Sequence, residues 1–434
     1  MIRKIDGRGR SLKEIREILS RPSQLEAEKE LDQVLKIIKA VREKGDRALI
    51  DFTSKFDKID IPSPDKMRVA KEEIQRAYDN TDKRLIQVLE KAAQRIEAYH
   101  SKQRQESWFS LDEQGVLLGQ KISAMDRVGL YVPGGRAAYP SSVLMNAIPA
   151  RVAGVKELVM VSPPKEDGKV YPSILAAAKI AGIDEIYTLG GAQAVAALAY
   201  GTETIPKVDK IVGPGNIYVA LAKKQVYGQV DIDMIAGPSE IVAIADKTAE
   251  PAFIAADLMS QAEHDIMASA ILITDSIDIC NSIMQELERQ VEKQPLRDTI
   301  KKSLLNYGAC ILVDSIEEAV ILSNDLAPEH LELMVKDPMR LLGQIRHAGA
   351  IFLGPYTPEP VGDYMAGPNH VLPTSGTARF FSPLGVDDFV KKSSIVSYDK
   401  GALSKIYKDV ADFARMEGLP AHANSVEVRF KVDD

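Results

Sequence analysis

Six histidines occur in 434 residues, few enough to weigh one by one. Four of them, His264, His330, His370 and His422, lie close to a carboxylate, a glycine or a proline. In Asp325-Leu-Ala-Pro-Glu-His330, Pro328 ends a helical pattern and presents Glu329 beside His330. An adjacent carboxyl and imidazole delivered to one pocket form a general acid–base pair. The same dipeptide on a solvent-exposed loop does nothing. A second candidate stretch runs Ile232-Asp-Met-Ile-Ala-Gly-Pro-Ser-Glu240, then the apolar residues 241–245, then Asp257-Leu-Met-Ser-Gln-Ala-Glu-His264. Positions i, i+4 and i+7 share a helix face, so Asp257, Gln261 and His264 form a polar stripe while Ile254, Leu258 and Met259 point into a core. That stripe suits metal ligation, but a lone helical histidine is as readily structural. A zinc site needs three or four donors, and here they must arrive from distant segments. The remaining histidines read as bystanders. His100 falls in a polar helical region as a surface residue, and His347 follows Arg346 at a helix end, where a cation suits the macrodipole.

The elements that must carry these residues fall into two styles. The first ~110 residues show apolar spacing of three and four, the mark of helices. Ser11 precedes Leu12, Ile15 and Ile18, a longer helix runs from about Ser23 to Lys44 and stops at Gly45, and another spans about 82–100. Trp108 and Phe109 close this part in a packing role. From Gly115 onward, strand-like apolar runs alternate with Gly/Pro turns and helical patterns, the signature of parallel α/β sheets. Residues 128–132, 158–161, 185–189 and 210–212 each enter such a turn. Ligands bind at the carboxyl ends of strands in such sheets, and helix N-termini there attract phosphate. No G-x-G-x-x-G follows any of these strands, so the standard dinucleotide fingerprint is absent. The alternation resumes at 269–274, 310–313 and 350–353. Residues 354–382 read as one long loop holding Gly362-Asp-Tyr364 and Gly367-Pro-Asn-His370, and loops of that length are usually functional. Residues 350–353 read as the last strand, and the tail resumes with 389–398, a helix at 402–417 and Gly418-Leu-Pro-Ala-His422.

Composition sets outer bounds. Hydrophobic content of 45%, charged content of 27% and a net charge of −7 describe a soluble globular chain of roughly two to four domains. The charge argues against general nucleic-acid binding. No apolar run approaches the ~18 residues of a membrane span, and the N-terminus lacks the apolar region of a secretory signal. A cytoplasmic setting is the default. Cys280 and Cys310 are too few for a disulfide framework or a zinc finger and read as buried small apolar residues.

Ile232-Asp-x-x-Ala-Gly-Pro-Ser-Glu240, continuing to Glu263-His264, closely resembles the signature segment of the histidinol dehydrogenase family. Val132-Pro-Gly-Gly135, Gly190-Gly-Ala-Gln193, Gly213-Pro-Gly-Asn216, Ala327-Pro-Glu-His330, Gly362-Asp-Tyr364 and Gly418-Leu-Pro-Ala-His422 resemble that family's other blocks, in its order. The resemblance spans roughly residues 115–425. It implies two Rossmann-like α/β domains with parallel sheets, a helical N-terminal segment and a small C-terminal tail domain. Residues 1–24 are then the arm, 25–127 with 238–381 a discontinuous domain carrying the metal and catalytic residues, 128–237 the NAD-binding domain, and 382–434 a tail exchanged between the subunits of a homodimer. The implied reaction is the last step of histidine biosynthesis: L-histidinol goes to L-histidine through the aldehyde, with two NAD consumed and Zn2+ bound. By matching position, the zinc ligands are Gln261, His264, Asp363 and His422, and the acid–base residues are Glu329 and His330. Ser239, Gln261, His264, His330, Asp363, His370, Glu417 and His422 contact the substrate, and Tyr131, Gln193 and Asn216 contact NAD. Asp257 is left a helix-positioning role. The alternative reading is a zinc hydrolase in which Glu329 activates water and no nucleotide is needed.

Overall fold

The computed structural model describes residues 2–21, 27–134 and 138–431. The expected helix start at Ser23 and the turn residue Gly135 lie outside them. In chain order the strands are β1 (Arg3–Asp6), β2 (Trp108–Leu111), β3 (Leu117–Ala124), β4 (Arg127–Tyr131), β5 (Glu157–Ser162), β6 (Glu185–Thr188), β7 (Lys210–Val212), β8 (Asp231–Ile232), β9 (Glu240–Ala245), β10 (Ser269–Thr274), β11 (Ala309–Leu312), β12 (His330–Met334), β13 (Ala350–Leu353) and β14 (Val390–Ser397).

Two parallel sheets carry the larger of two compact units, residues 1–103 with 125–389. The five-stranded sheet has the order β6-β5-β4-β7-β8, and the six-stranded sheet β1-β11-β10-β9-β12-β13. Strands such as β9 and β10 are buried along their whole length, because helices cover both faces, which is what continuous Val/Ile/Ala runs require. The topology switches direction between β4 and β7 in one sheet and between β9 and β12 in the other, the positions where doubly wound sheets open a crevice. The expected pair of Rossmann-like parallel α/β layers is therefore present. The smaller unit, residues 104–124 with 390–434, is an antiparallel sheet, β14-β3-β2, with the helices Lys400–Met416 and Pro420–Lys431 packed through Ala411, Ala414 and Ala423. Among the described residues no helix is long and apolar enough to cross a membrane.

Several expectations need correction. The N-terminal segment opens on a strand: β1 pairs with β11 at the sheet edge before the helix Leu12–Leu19 begins. The 354–382 stretch is no plain loop, for it holds a helical turn Glu359–Val361, a π-helical turn Gly362–Ala366 and a 3-10 turn Thr377–Arg379. His100 is fully buried, with Nδ1 donating to the Ile96 carbonyl oxygen at 2.8 Å. His347 lies in the loop before β13, where its N–H donates to Asn324 Oδ1. Trp108 and Phe109 are exposed on β2. Cys280 and Cys310 are buried as expected and also pair as a disulfide.

Candidate active site

β9 and β12 lie side by side, with His330 opposite Ile241. The first residue of β9, Glu240, uses its backbone twice. Its N–H donates to Glu329 Oε2 at 2.9 Å, and its carbonyl accepts from His330 Nδ1 at 2.9 Å. The Glu240 side chain is held by Arg21. Because Nδ1 carries the donated proton, His330 Nε2 is left with its lone pair. That nitrogen is buried without a hydrogen-bond partner among the described residues. Burial, opposed by Asp363 and reinforced by His264 and His370, lowers the His330 pKa to about 4. His330 is thus a neutral base at ordinary pH. Burial, with the Asp363 and Glu359 carboxylates adding to it and Arg21 opposing, pushes Glu329 well above the usual carboxyl range. Both residues were expected on a loop. His330 instead opens the central strand β12 with Glu329 directly before it, at the strand's amino end and not at the carboxyl end where sequence reasoning placed ligands.

A cluster of carboxylates faces this pair. Glu359 Oε1 is 3.8 Å from His330 Nε2, and burial, Asp363 and Glu332 push Glu359 up to about 9. Asp363 follows one helical turn later, on the same side. His330, Glu359 and Asp363 each offer a ligand atom, all within 4.8 Å of one another. Gln261 closes the helix Pro251–Ala262, where it is buried and its Oε1 has no partner among the described residues. His264 comes two residues after that helix, so the predicted stripe is broken at its end. It is exposed, and with Asp363 it lines a cleft of about 820 Å³. A second cavity, of about 540 Å³, brings Asp363 together with His370 and His100. Ser239 sits directly before Glu240, and its carbonyl accepts the Ser269 N–H at 2.9 Å.

The three residues expected at NAD sit at the carboxyl end of the five-stranded sheet. Tyr131 ends β4, Gln193 lies in the first turn of the helix Gly191–Tyr200, and Asn216 caps the helix Ile217–Val226. Tyr131 and Asn216 each have a local task. The Tyr131 hydroxyl accepts the Gly191 N–H at 3.0 Å, and burial pushes its pKa to about 12. Asn216 Oδ1 accepts from the N–H groups of Tyr218 and Val219, the usual way to satisfy a helix start. Gly213 holds φ +111°, and a Cβ there would lie 2.1 Å from the Tyr131 carbonyl oxygen, so only glycine fits that turn. The segment after β4, Ala138 to Ser141, borders the same cleft as His264 and Asp363. Glu417 and His422 belong to the smaller unit, at the end of its first helix and in the first turn of its second, and both are exposed.

Sequence reasoning missed Glu359 and Glu332. The first lies four residues before Asp363, the helical spacing that marks a shared face. The second lies two residues after His330, the strand spacing that marks one. Both signals were present but had no element assigned to them.

A buried acid–base pair beside a carboxylate cluster, on two parallel α/β sheets that share a cleft, defines an enzyme of the Rossmann-like class. The family model for histidinol dehydrogenase matches residues 20–430. Curated relatives named histidinol dehydrogenase include that of Clostridium acetobutylicum, 58% identical over 91% of both chains, and that of Bacillus subtilis, 56% identical over 93% of both. The crystal structure of histidinol dehydrogenase from Elizabethkingia anophelis superimposes with a TM-score of 0.93 at 38% identity, covering 99% of this chain and 98% of that one. The chain belongs to the histidinol dehydrogenase family.

Proposed function

We propose that this chain oxidises L-histidinol through L-histidinal to L-histidine, the last step of histidine biosynthesis, with NAD and Zn2+ bound and two chains sharing each site. The observation that carries the chemistry is His330, whose Nδ1 is fixed by the Glu240 carbonyl and whose buried Nε2 is free to take a proton. Membership of the family carries the substrate.

A metal fits the residues present. Gln261 Oε1 is a buried oxygen without a donor among the described residues, an arrangement that costs free energy unless a cation or ligand meets it. His264 and Asp363 border the same cleft. Gln261, His264 and Asp363 would hold zinc, with His422 from a second chain. When bound, zinc supplies a fixed anchor for the amine and imidazole nitrogens of histidinol, and NAD supplies the hydride acceptor. His330 Nε2 accepts the carbinol hydroxyl proton in the first oxidation. Glu329, made more basic by burial, takes a proton from the water that adds to the aldehyde while His330 returns its proton to the aldehyde oxygen, and the neutral His330 then takes the hydrate's proton as the second hydride leaves. Ser239, His370 and the second chain's tail, through its Glu417, close around the substrate, while Tyr131, Gln193 and Asn216 shape the NAD side.

The deciding experiment is NADH formation on adding histidinol and NAD, measured before and after chelation. Two NADH per histidinol, lost on chelation and restored by zinc, is the expected result. No NADH signal would favour the hydrolase.

A further inference from the structure

His330 and Glu332 share one face of β12, because strand residues alternate, while Leu331 and Leu333 fill the core on the other. Glu332 is fully buried. Its Oε1 accepts the backbone N–H of Glu359 at 3.0 Å, at the start of the turn that leads to Asp363. Its side chain also hydrogen-bonds the Asp257 carboxyl, and Asp257 lies buried one helical turn before Gln261. Neither Glu332 Oε2 nor Asp257 Oδ2 accepts from an N–H or hydroxyl among the described residues. Two carboxyl groups in contact away from water repel one another unless they share a proton. Such a pair is a poor stabiliser, since apolar side chains of similar volume would cost less to bury. Its value lies in what it connects.

We propose that the Glu332–Asp257 carboxyl pair is a positioning device that ties the helix carrying Gln261 to the turn carrying Glu359 and Asp363. It holds two halves of the proposed metal site together without touching substrate. The inference rests on the metal reading above.

The test is the zinc affinity of metal-free protein by chelator competition, alongside metal-free melting temperature and the kcat and KM for histidinol. Glu332→Gln keeps both hydrogen bonds, with its amide oxygen taking the Glu359 N–H and its amide N–H meeting Asp257, and should hold zinc within about threefold of wild type. Glu332→Leu should lose roughly 10–100-fold in zinc affinity while the metal-free protein melts no lower. Asp257→Leu should lose as much, and the double variant no more, because the pair acts as one unit. Should Glu332→Leu fail to fold, Asp257→Leu decides by the same titration. Native zinc affinity in the leucine variants, or a Glu332→Gln as weak as Glu332→Leu, would overturn the inference. A wild-type chain that binds no zinc would instead overturn the metal reading, and this inference with it.

Discussion

Through its backbone, Glu240 gives an N–H to Glu329 and takes one from His330, so a single residue orients both proposed acid–base groups. Asparagine at 330 can still donate to the Glu240 carbonyl, but it has no basic nitrogen to place at the substrate. His330→Asn should therefore cut both oxidations by roughly 10²–10⁴-fold, read as NADH formation from histidinol and from histidinal. Near-normal turnover would remove His330 from its role. Glu329→Gln should mainly slow histidinal oxidation, and a variant slowed only in the alcohol step would reverse the two assignments. His100 makes a separate prediction about pH. Burial lowers its pKa, and the Ile96 and Leu384 backbones only partly oppose that. A histidine whose folded pKa is below its unfolded value of about 6.5 contributes stability above that pH and loses it as pH falls toward the folded value. His100→Leu cannot gain that proton. Its melting temperature relative to wild type should therefore rise as the buffer goes from about pH 7.5 to about pH 5. A difference that stays flat with pH would show that His100 does not titrate in this range.

Among the elements, the turn after β7 is fixed by a buried ion pair. Lys223, inside the helix Ile217–Val226, pairs with Asp233 and also donates to the Gly213 carbonyl at 2.9 Å. Asp233 in turn accepts the Gly213 N–H at 2.7 Å. The pair joins the turn after β7 to the segment running from β8 into β9. Lys223→Met strands a carboxylate in the core and should cost about 3–5 kcal/mol in denaturant unfolding. Adding Asp233→Asn should recover part of that loss, since the amide oxygen can still accept from Gly213. Elements of this kind were legible from sequence, because β7 and its turn read as an apolar run followed by Gly213-Pro-Gly-Asn216. β12 was not legible. Its residues His330-Leu-Glu-Leu-Met are all buried, but the histidine and glutamate break the apolar run that marks a buried strand. β1 failed for a related reason: Arg3-Lys-Ile-Asp sits on a sheet edge, where charged side chains are tolerated and apolar patterning is weak. Glu359, between Pro358 and Pro360, resembled loop. The Gln261 face could be read from helical spacing. Its proposed partner Asp363 could not, because it lies on a separate element far along the chain.

At the scale of the whole molecule, the larger unit supplies the acid–base pair and three of the proposed zinc ligands, while Glu417 and His422 stand exposed on the smaller one. That smaller unit also exposes Trp108, Phe109, Leu111, Val396, Phe413 and Met416, apolar area available to a partner. A second copy of the chain is the occupant the proposed function requires, with each tail completing the other chain's site. This can be tested by complementation. Chains carrying His330→Asn and chains carrying His422→Asn should each be inactive as pure homodimers. When they are refolded together, a mixed dimer holds one site with both histidines intact and one lacking both. Random pairing makes half of the dimers mixed, so activity should return to about a quarter of wild type per chain. If each chain used its own tail, every site in the mixture would still lack one histidine, and activity would stay at the level of the parents.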